Sequence, residues 1–138
     1  MPACVLDASS VFPWLFEDEA TPTADAILAL VIQQGAVVPA LRQTGGKTGL
    51  GMAERRNRLS PDGVRDAVAL LRDLPLVLDE PTPARAFGAV LELVRSQRLT
   101  AYDATYLELA IRRGLPLASN DKALRSAARA VGVALLAA

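Results

Sequence analysis

The chain has 138 residues, of which 51% are hydrophobic and 22% charged, and its 15 basic and 15 acidic side chains cancel in net charge. This size and composition predict a single domain over residues 1–138 and exclude a disordered chain or a polybasic tail. One cysteine, Cys4, excludes an internal disulfide and favours a reducing compartment. No stretch reaches the roughly 20 apolar residues of a membrane helix, and no signal peptide is evident, so we expect a cytoplasmic protein without a membrane segment.

Short apolar runs alternate with longer amphipathic stretches along the chain. The apolar runs predict five strands, at residues 3–6, 36–38, 76–78, 115–118 and 133–136. The stretches between them predict helices at residues 11–16, 22–34, 40–58, 61–72, 83–97, 101–113 and 122–131. This alternation is typical of a parallel sheet with helices on both faces.

Local chemistry supports several of these boundaries. Thr100 and Asp103 have the spacing of a capping box, in which the hydroxyl accepts a backbone N–H of the first helical turn. Gly35, Gly114 and Gly132 each follow a predicted helix and precede an apolar run, where a residue with positive φ can end the helix.

Three aspartates are placed where a metal site is expected. Asp7 directly follows the first predicted strand, Asp121 follows the fourth, and Asp103 lies on the same helical face as the apolar side of its helix. In an open parallel sheet, ligands bind beyond the carboxyl ends of the strands. Several carboxylates gathered there need a cation, and oxygen ligands without histidine or thiolate suit Mg²⁺ or Mn²⁺. The pattern therefore predicts a metal-dependent enzyme that acts on phosphate esters.

Each aspartate also has a purely local interpretation. Asp7 can cap the helix that follows it, Asp103 can accept backbone N–H groups in its own first turn, and Asp121 can serve as a turn residue after Ser119 and Asn120. Three such residues together, two of them after strands, favour a shared site.

Clustered arginines offer a second possible link to nucleic acid. Because the whole molecule has no net charge, phosphates would have to be met by local groups of cations. The candidates are Arg55, Arg56 and Arg58, and the pair Arg112 and Arg113. The alternative is that these arginines are solvated helix ends.

Three motifs together resemble the PIN-domain family, and within it the VapC-type toxins of bacterial toxin–antitoxin pairs. The motifs are Val5-Leu6-Asp7-Ala8-Ser9, Leu99-Thr100-Ala101-Tyr102-Asp103-Ala104 with Tyr106-Leu107, and Leu117-Ala118-Ser119-Asn120-Asp121. The resemblance implies a three-layer α/β/α sandwich with a central parallel five-stranded sheet. It also implies Mg²⁺- or Mn²⁺-dependent endoribonuclease activity in a cytoplasmic homodimer that is restrained by a cognate antitoxin.

The resemblance assigns roles to particular residues. Asp7, Asp103 and Asp121 match the acidic residues that hold the metal and carry catalysis. Ser9 and Asn120 match polar positions beside the first and last aspartates, where they would position substrate or water. For both residues, local turn or cap bonding is an equally good interpretation.

One segment departs from the family pattern. The family usually has a glutamate and then an asparagine in the helix after Pro39, where this chain has Gly45 and Thr48. Four glycines, at positions 45, 46, 49 and 51, each weaken a helix by about 1 kcal/mol relative to alanine. Read one nucleotide out of frame, codons for Thr44-Gly45-Gly46 can encode Leu-Glu. We hypothesise two compensating frameshifts between Leu41 and Met52, in the gene or in its sequencing.

Two other interpretations remain. Residues 46–48 form Gly-Lys-Thr, but a phosphate-binding loop needs a glycine where Leu41 stands. The second is an alternative function, in which a chain without the family glutamate is an inactive binding protein that keeps its antitoxin and dimer contacts. Trp14, Leu15 and Phe16 are candidates for such a surface, unless they belong to the core.

Overall fold

The computed structural model describes residues 1–40, 61–80 and 88–136. In these ranges four strands form one parallel sheet in the order β3-β2-β1-β4. The strands are β1 (Cys4–Leu6), β2 (Ala36–Pro39), β3 (Leu76–Asp79) and β4 (Leu117–Ala118). Because all of them run in the same direction, their carboxyl ends meet at one edge of the sheet.

Helices connect the strands. They are α1 (Phe12–Leu15), α2 (Pro22–Gln34), α3 (Pro61–Asp73), α4 (Ala89–Gln97), α5 (Ala101–Arg113) and α6 (Lys122–Ala130), with 3₁₀ turns at Ala8–Ser10 and Glu17–Glu19. The predicted helix at residues 40–58 and the start of the one at residues 83–97 lie outside the described residues. No helix within the described ranges has the length and apolar character needed to cross a membrane.

The sheet has an apolar core on each face. Val5, Val37 and Leu117 point to one side, where they pack with residues of α4, α5 and α6. Cys4 and Ala36, which alternate with them, point to the other side and pack with α1, α2 and α3. The predicted sandwich of helices, parallel sheet and helices is therefore confirmed.

Cys4 belongs to this core. Its side chain is fully buried, and burial raises the pKa of the thiol to about 11. Cys4 therefore acts as a small apolar core residue, as expected for a lone cysteine in a strand.

The predicted fifth strand is much reduced. Residues 133–136 lie beside β4 and form a single parallel bridge, between Leu117 and Leu135. The Leu117 N–H donates to the Ala134 carbonyl, and the Leu136 N–H donates to the Leu117 carbonyl, both at 2.9 Å. β4 is itself only two residues long, whereas the predicted strand also included Leu115 and Pro116. Proline has no N–H to donate to a ladder. So short a strand gives its neighbour little backbone to pair with.

The predicted helix ends are confirmed at four positions, one of which is Gly132, which follows α6 with φ of 81°. The Thr100 hydroxyl accepts the Asp103 N–H at 3.1 Å, and Gly114 ends α5 in the left-handed conformation. Gly35 ends α2 with φ of 84°, and an added Cβ there would lie 2.7 Å from the Pro75 carbonyl oxygen. Glycine is therefore required at position 35 by both backbone conformation and space.

Trp14 joins α1 to α2. Its indole Nε1 donates to the Ala24 carbonyl at 2.8 Å, and Trp14 and Leu15 pack, partly buried, on the core that contains Cys4. Trp14 and Leu15 therefore belong with the core and do not form an exposed binding surface.

Candidate active site

The centre of the candidate site is Asp7, the first residue after β1. Its side chain is buried, with 5% of the residue exposed. Asp7 Oδ2 accepts hydrogen bonds from the Ser9 hydroxyl at 2.5 Å and from the Ser119 hydroxyl at 2.8 Å. It makes no side-chain bond that caps the following 3₁₀ turn. Asp7 is therefore held by two hydroxyls, and the capping interpretation does not describe its side chain.

The direction of these hydrogen bonds follows from the backbone around them. The Asn120 N–H donates to Ser9 Oγ at 2.9 Å, and the Asp121 N–H donates to Ser119 Oγ at 3.1 Å. Since each serine oxygen already accepts an N–H, its own hydrogen is directed at the Asp7 carboxylate. Such chains of hydrogen bonds polarise each other and favour the ionised carboxylate.

Asp121 and Asp103 lie at the starts of two helices. Asp121 Oδ2 accepts the Leu124 N–H at 3.0 Å and so caps α6. Asp103 is partly buried in the first turn of α5. Asp121 therefore has a local structural role, and Asp103 lies in the first helical turn where its local interpretation placed it.

The three carboxylates, which we call the acidic pocket, lie near enough for electrostatic effects on Asp7 and Asp103. Burial raises the pKa of Asp7, and the negative charge of Asp121 raises it further, against the lowering effect of the Ser9 and Ser119 hydrogen bonds. Burial, with added repulsion from Asp121 and Asp7, raises the pKa of Asp103 to about 6. Electrostatic effects of this kind require the groups to lie near each other.

The acidic pocket has the ligand chemistry that Mg²⁺ or Mn²⁺ prefers, because its donors are carboxylate oxygens and it contains no soft ligand. It is not a ready-made ligand set. Among residues 1–40, 61–80 and 88–136, no three acidic, histidine or cysteine side chains are gathered closely enough to hold an ion as they stand.

Tyr106 lies one turn after Asp103 on the buried face of α5. Its side chain is almost fully buried, and its ring centroid is 5.6 Å from that of Tyr102. Burial is the largest effect that raises the pKa of the Tyr106 phenol. The Tyr102 side chain and the charges of Asp7 and Asp103 raise it further. Tyr106 is therefore a neutral hydroxyl close enough to Asp7 and Asp103 to feel their charges.

Arg112 and Arg113 both form hydrogen bonds with Asp79, a contact that the sequence did not predict. Arg112 Nη1 and Nη2 donate to the two carboxylate oxygens of Asp79 at 3.0 and 2.6 Å, and Arg112 Nε donates to Glu108 Oε1 at 2.8 Å. Arg113 Nη2 adds a bond to Asp79 Oδ1 at 3.1 Å. Arg112 and Arg113 therefore tie α5 to the end of β3. Arg113 is also exposed at the last residue of α5, as the solvated-helix-end alternative predicts. The other cluster, at positions 55, 56 and 58, lies outside the described residues.

A parallel sheet between two helical layers, with carboxylates at its carboxyl edge, defines an α/β protein with a candidate metal centre. The chain belongs to the PIN-domain family, because the sequence model of the PIN domain matches residues 4–130. PIN domains are typically nucleases, and these nucleases usually use divalent metal ions.

The solved protein PAE2754 from Pyrobaculum aerophilum has a similar fold. The two chains superpose with a TM-score of 0.63 at 22% sequence identity, over 89% of this chain and 84% of the other. At this identity the similarity concerns the fold alone. A comparison with curated proteins finds no match.

The site residues named from sequence are brought to one edge of the sheet. Asp7, Asp103 and Asp121 form the acidic pocket, while Ser9 and Asn120 bond to each other and Ser9 to Asp7. Their catalytic and metal-binding roles stay predictions. Ser119 was missed as a site residue, although a second hydroxyl two residues before Asp121 was a usable signal. Gly45 and Thr48 lie outside the described residues.

Proposed function

We propose that this protein is a Mg²⁺- or Mn²⁺-dependent endoribonuclease and the toxin of a toxin–antitoxin pair. The observation that carries the enzymatic part is the state of Asp7. A buried carboxylate is held by two serine hydroxyls and lies close to two further aspartates. Negative charge so concentrated is costly without a cation.

In this proposal Asp7, Asp103 and Asp121 hold the metal. When bound, the ion supplies an activated water and neutralises charge that develops on the scissile phosphate. Ser9 and Ser119 fix the orientation of Asp7 through its Oδ2 atom. Asn120 holds Ser9 through its backbone N–H and through its amide, which donates to the Ser9 carbonyl at 3.3 Å.

The biological part of the proposal rests on the resemblance of the three motifs to VapC-type toxins. It assigns the protein a cognate antitoxin, a homodimeric state and a cytoplasmic location. Gly45 at the family's glutamate position removes one carboxylate from the expected set. We therefore expect weaker metal binding and lower activity than a complete set of four acids would give.

Calorimetric titration with Mn²⁺ tests the metal centre, with cleavage of a structured RNA measured on the same preparations. We expect saturable binding by the wild type, at least a tenfold loss of affinity in Asp7→Asn, and loss of cleavage in that variant. Asp62→Asn, which removes an exposed carboxylate from α3, should change neither property. Circular dichroism checks that the variants are folded.

The substitution at position 45 also favours one second candidate, an inactive PIN-domain protein that binds antitoxin and its own copy. The same titration separates the two. A folded wild type that neither binds Mn²⁺ nor cleaves RNA would contradict the nuclease proposal and leave the binding protein.

A further inference from the structure

A cleft of about 560 Å³ opens beside the acidic pocket. It lies between the start of α2 and the start of α6, and this volume is in the range of small-molecule and nucleotide sites. Its polar lining consists mainly of hydroxyl, amide and cationic side chains. These are Ser10, Thr21, Thr23, Asn120, Lys122 and Arg125.

Asn120 connects the cleft to the acidic pocket. It lines the cleft, and its backbone N–H donates to the same Ser9 hydroxyl that donates to Asp7. Lys122 is the next residue after Asp121. A ligand group in the cleft therefore lies next to whatever the three carboxylates bind.

The charge of the cleft is opposite to that of the acidic pocket. Among the lining residues within the described part of the chain, Lys122 and Arg125 supply two cations and Glu19 supplies one negative charge. Arg125 Nη1 donates to the Ser119 carbonyl at 3.0 Å, which fixes Arg125 on the wall nearest Asp7. Lys122 is exposed, so its ammonium is accessible to a ligand. A cationic cleft joined to an anionic metal-binding pocket suits a polyanion that presents one phosphate to each.

We propose that this cleft binds the backbone phosphate of an RNA nucleotide adjacent to the scissile linkage, with Lys122 as its principal contact. The inference rests on the proposed ribonuclease function and deepens it. Lys122 neutralises the adjacent phosphate and the neighbouring hydroxyls and amide donate to its oxygens, while the scissile phosphate lies at the acidic pocket. The neutral chain thereby attracts RNA at one place without a general positive field.

The first test measures RNA binding without cleavage. Fluorescence anisotropy follows a labelled single-stranded RNA bound to the full-length Asp7→Asn protein in EDTA, over a series of salt concentrations. Adding Lys122→Ala should weaken binding about five- to tenfold and reduce the salt slope by about 0.7, the value for one phosphate contact on a single strand. Adding Arg95→Ala, which removes an exposed cation from α4, is the matched control and should change neither quantity.

The second test locates the phosphate. A neutral methylphosphonate is placed at one linkage at a time in the same RNA. At one linkage, the methylphosphonate should weaken binding to the Asp7→Asn protein by the same factor as Lys122→Ala does. RNA carrying that linkage should bind equally to the Asp7→Asn protein with and without Lys122→Ala. If Lys122→Ala and Arg95→Ala have equal effects, or no linkage removes the difference, the inference is overturned.

Two further readouts separate this inference from the proposed function. Lys122→Ala should leave Mn²⁺ affinity unchanged in the otherwise wild-type protein. Tighter Mn²⁺ binding without a change in RNA affinity would mean that Lys122 only balances the carboxylates, which overturns the inference alone. If the wild type and Lys122→Ala cleave RNA equally well, the inference alone is likewise overturned. A wild type that neither binds nor cleaves RNA overturns the proposed function as well.

Discussion

The Ser119 hydroxyl donates to Asp7 Oδ2 at 2.8 Å, although the two residues are 112 positions apart in the chain. The contact follows from the sheet, because Leu6 and Ala118 are register partners on the neighbouring strands β1 and β4. The next residue after Leu6 is Asp7 and the next after Ala118 is Ser119. Strand pairing therefore places a hydroxyl donor against the buried carboxylate.

Ser119→Ala should destabilise the protein by about 1–3 kcal/mol at pH 7, since a buried ionised carboxylate loses a donor and the Asp121 N–H loses its acceptor. The pKa of Asp7 should rise further, because the Ser119 bond lowers it. Urea unfolding at pH 7 measures the cost, which should shrink at acid pH as Asp7 takes up a proton. The exposed-serine variant Ser96→Ala is the control. Equal costs for the two variants would contradict this role of Ser119.

Asp103→Asn should make the metal-free protein more stable than the wild type at neutral pH. The pKa of Asp103 is raised to about 6 in the folded state, against about 3.9 in the unfolded chain. The contribution of the Asp103 carboxyl to stability is therefore fully present below about pH 4 and is lost as pH rises through 6. For a partly exposed group we expect a change on the order of 1 kcal/mol. Urea unfolding in EDTA at several pH values measures it, and parallel curves for the two proteins would contradict the prediction.

Asp79→Asn should be costly at neutral pH. The Arg112 and Arg113 hydrogen bonds hold the pKa of Asp79 below its usual value. The stabilisation is therefore present above about pH 4 and is lost as pH falls through the lowered pKa. Asparagine keeps one acceptor oxygen but removes the negative charge that the two arginines share, so we expect a loss of about 2–4 kcal/mol at pH 7 and a much smaller one near pH 2.

Asp62→Asn is the matched control for Asp79→Asn. Asp62 lies 3.7 Å from Arg65, and the two side chains are 86% and 81% exposed. An ion pair in that setting should contribute less than about 0.5 kcal/mol. Thermal and urea unfolding of both variants at pH 7 compare the two pairs, and similar costs would show that the Asp79 cluster is not a stabilising one.

Resequencing of the DNA that encodes residues 41–52 tests the frameshift hypothesis. We expect two nearby insertions or deletions whose correction restores a glutamate at position 45. The corrected protein should bind Mn²⁺ at least tenfold more tightly than the present chain, because a fourth carboxylate adds to the ligand charge. A single uninterrupted frame without such a pair of changes would reject the hypothesis and make Gly45 the native residue.

Much of the fold follows from sequence pattern. Alternating apolar runs and amphipathic stretches predict the strands and helices, because the spacing of apolar residues and the turn residues at element ends depend on local backbone conformation. Thr100 and Gly114 mark the ends of α5 for the same reason. The predicted extent of β4 was too long, because pairing depends on the partner strand as well as on the apolar run that contains Pro116.

The sequence by itself predicted the candidate site residues: three carboxylates after strands or in a first helical turn, with Ser9 and Asn120 beside them and no soft ligand among them. Only the tertiary structure decided what these residues meet. It brought Ser119 to Asp7, directed Arg112 to Asp79, and placed Lys122 in a cleft that is also lined by Asn120, which donates to Ser9 beside Asp7. Contacts between distant segments depend on strand order and helix packing, which no local periodicity encodes.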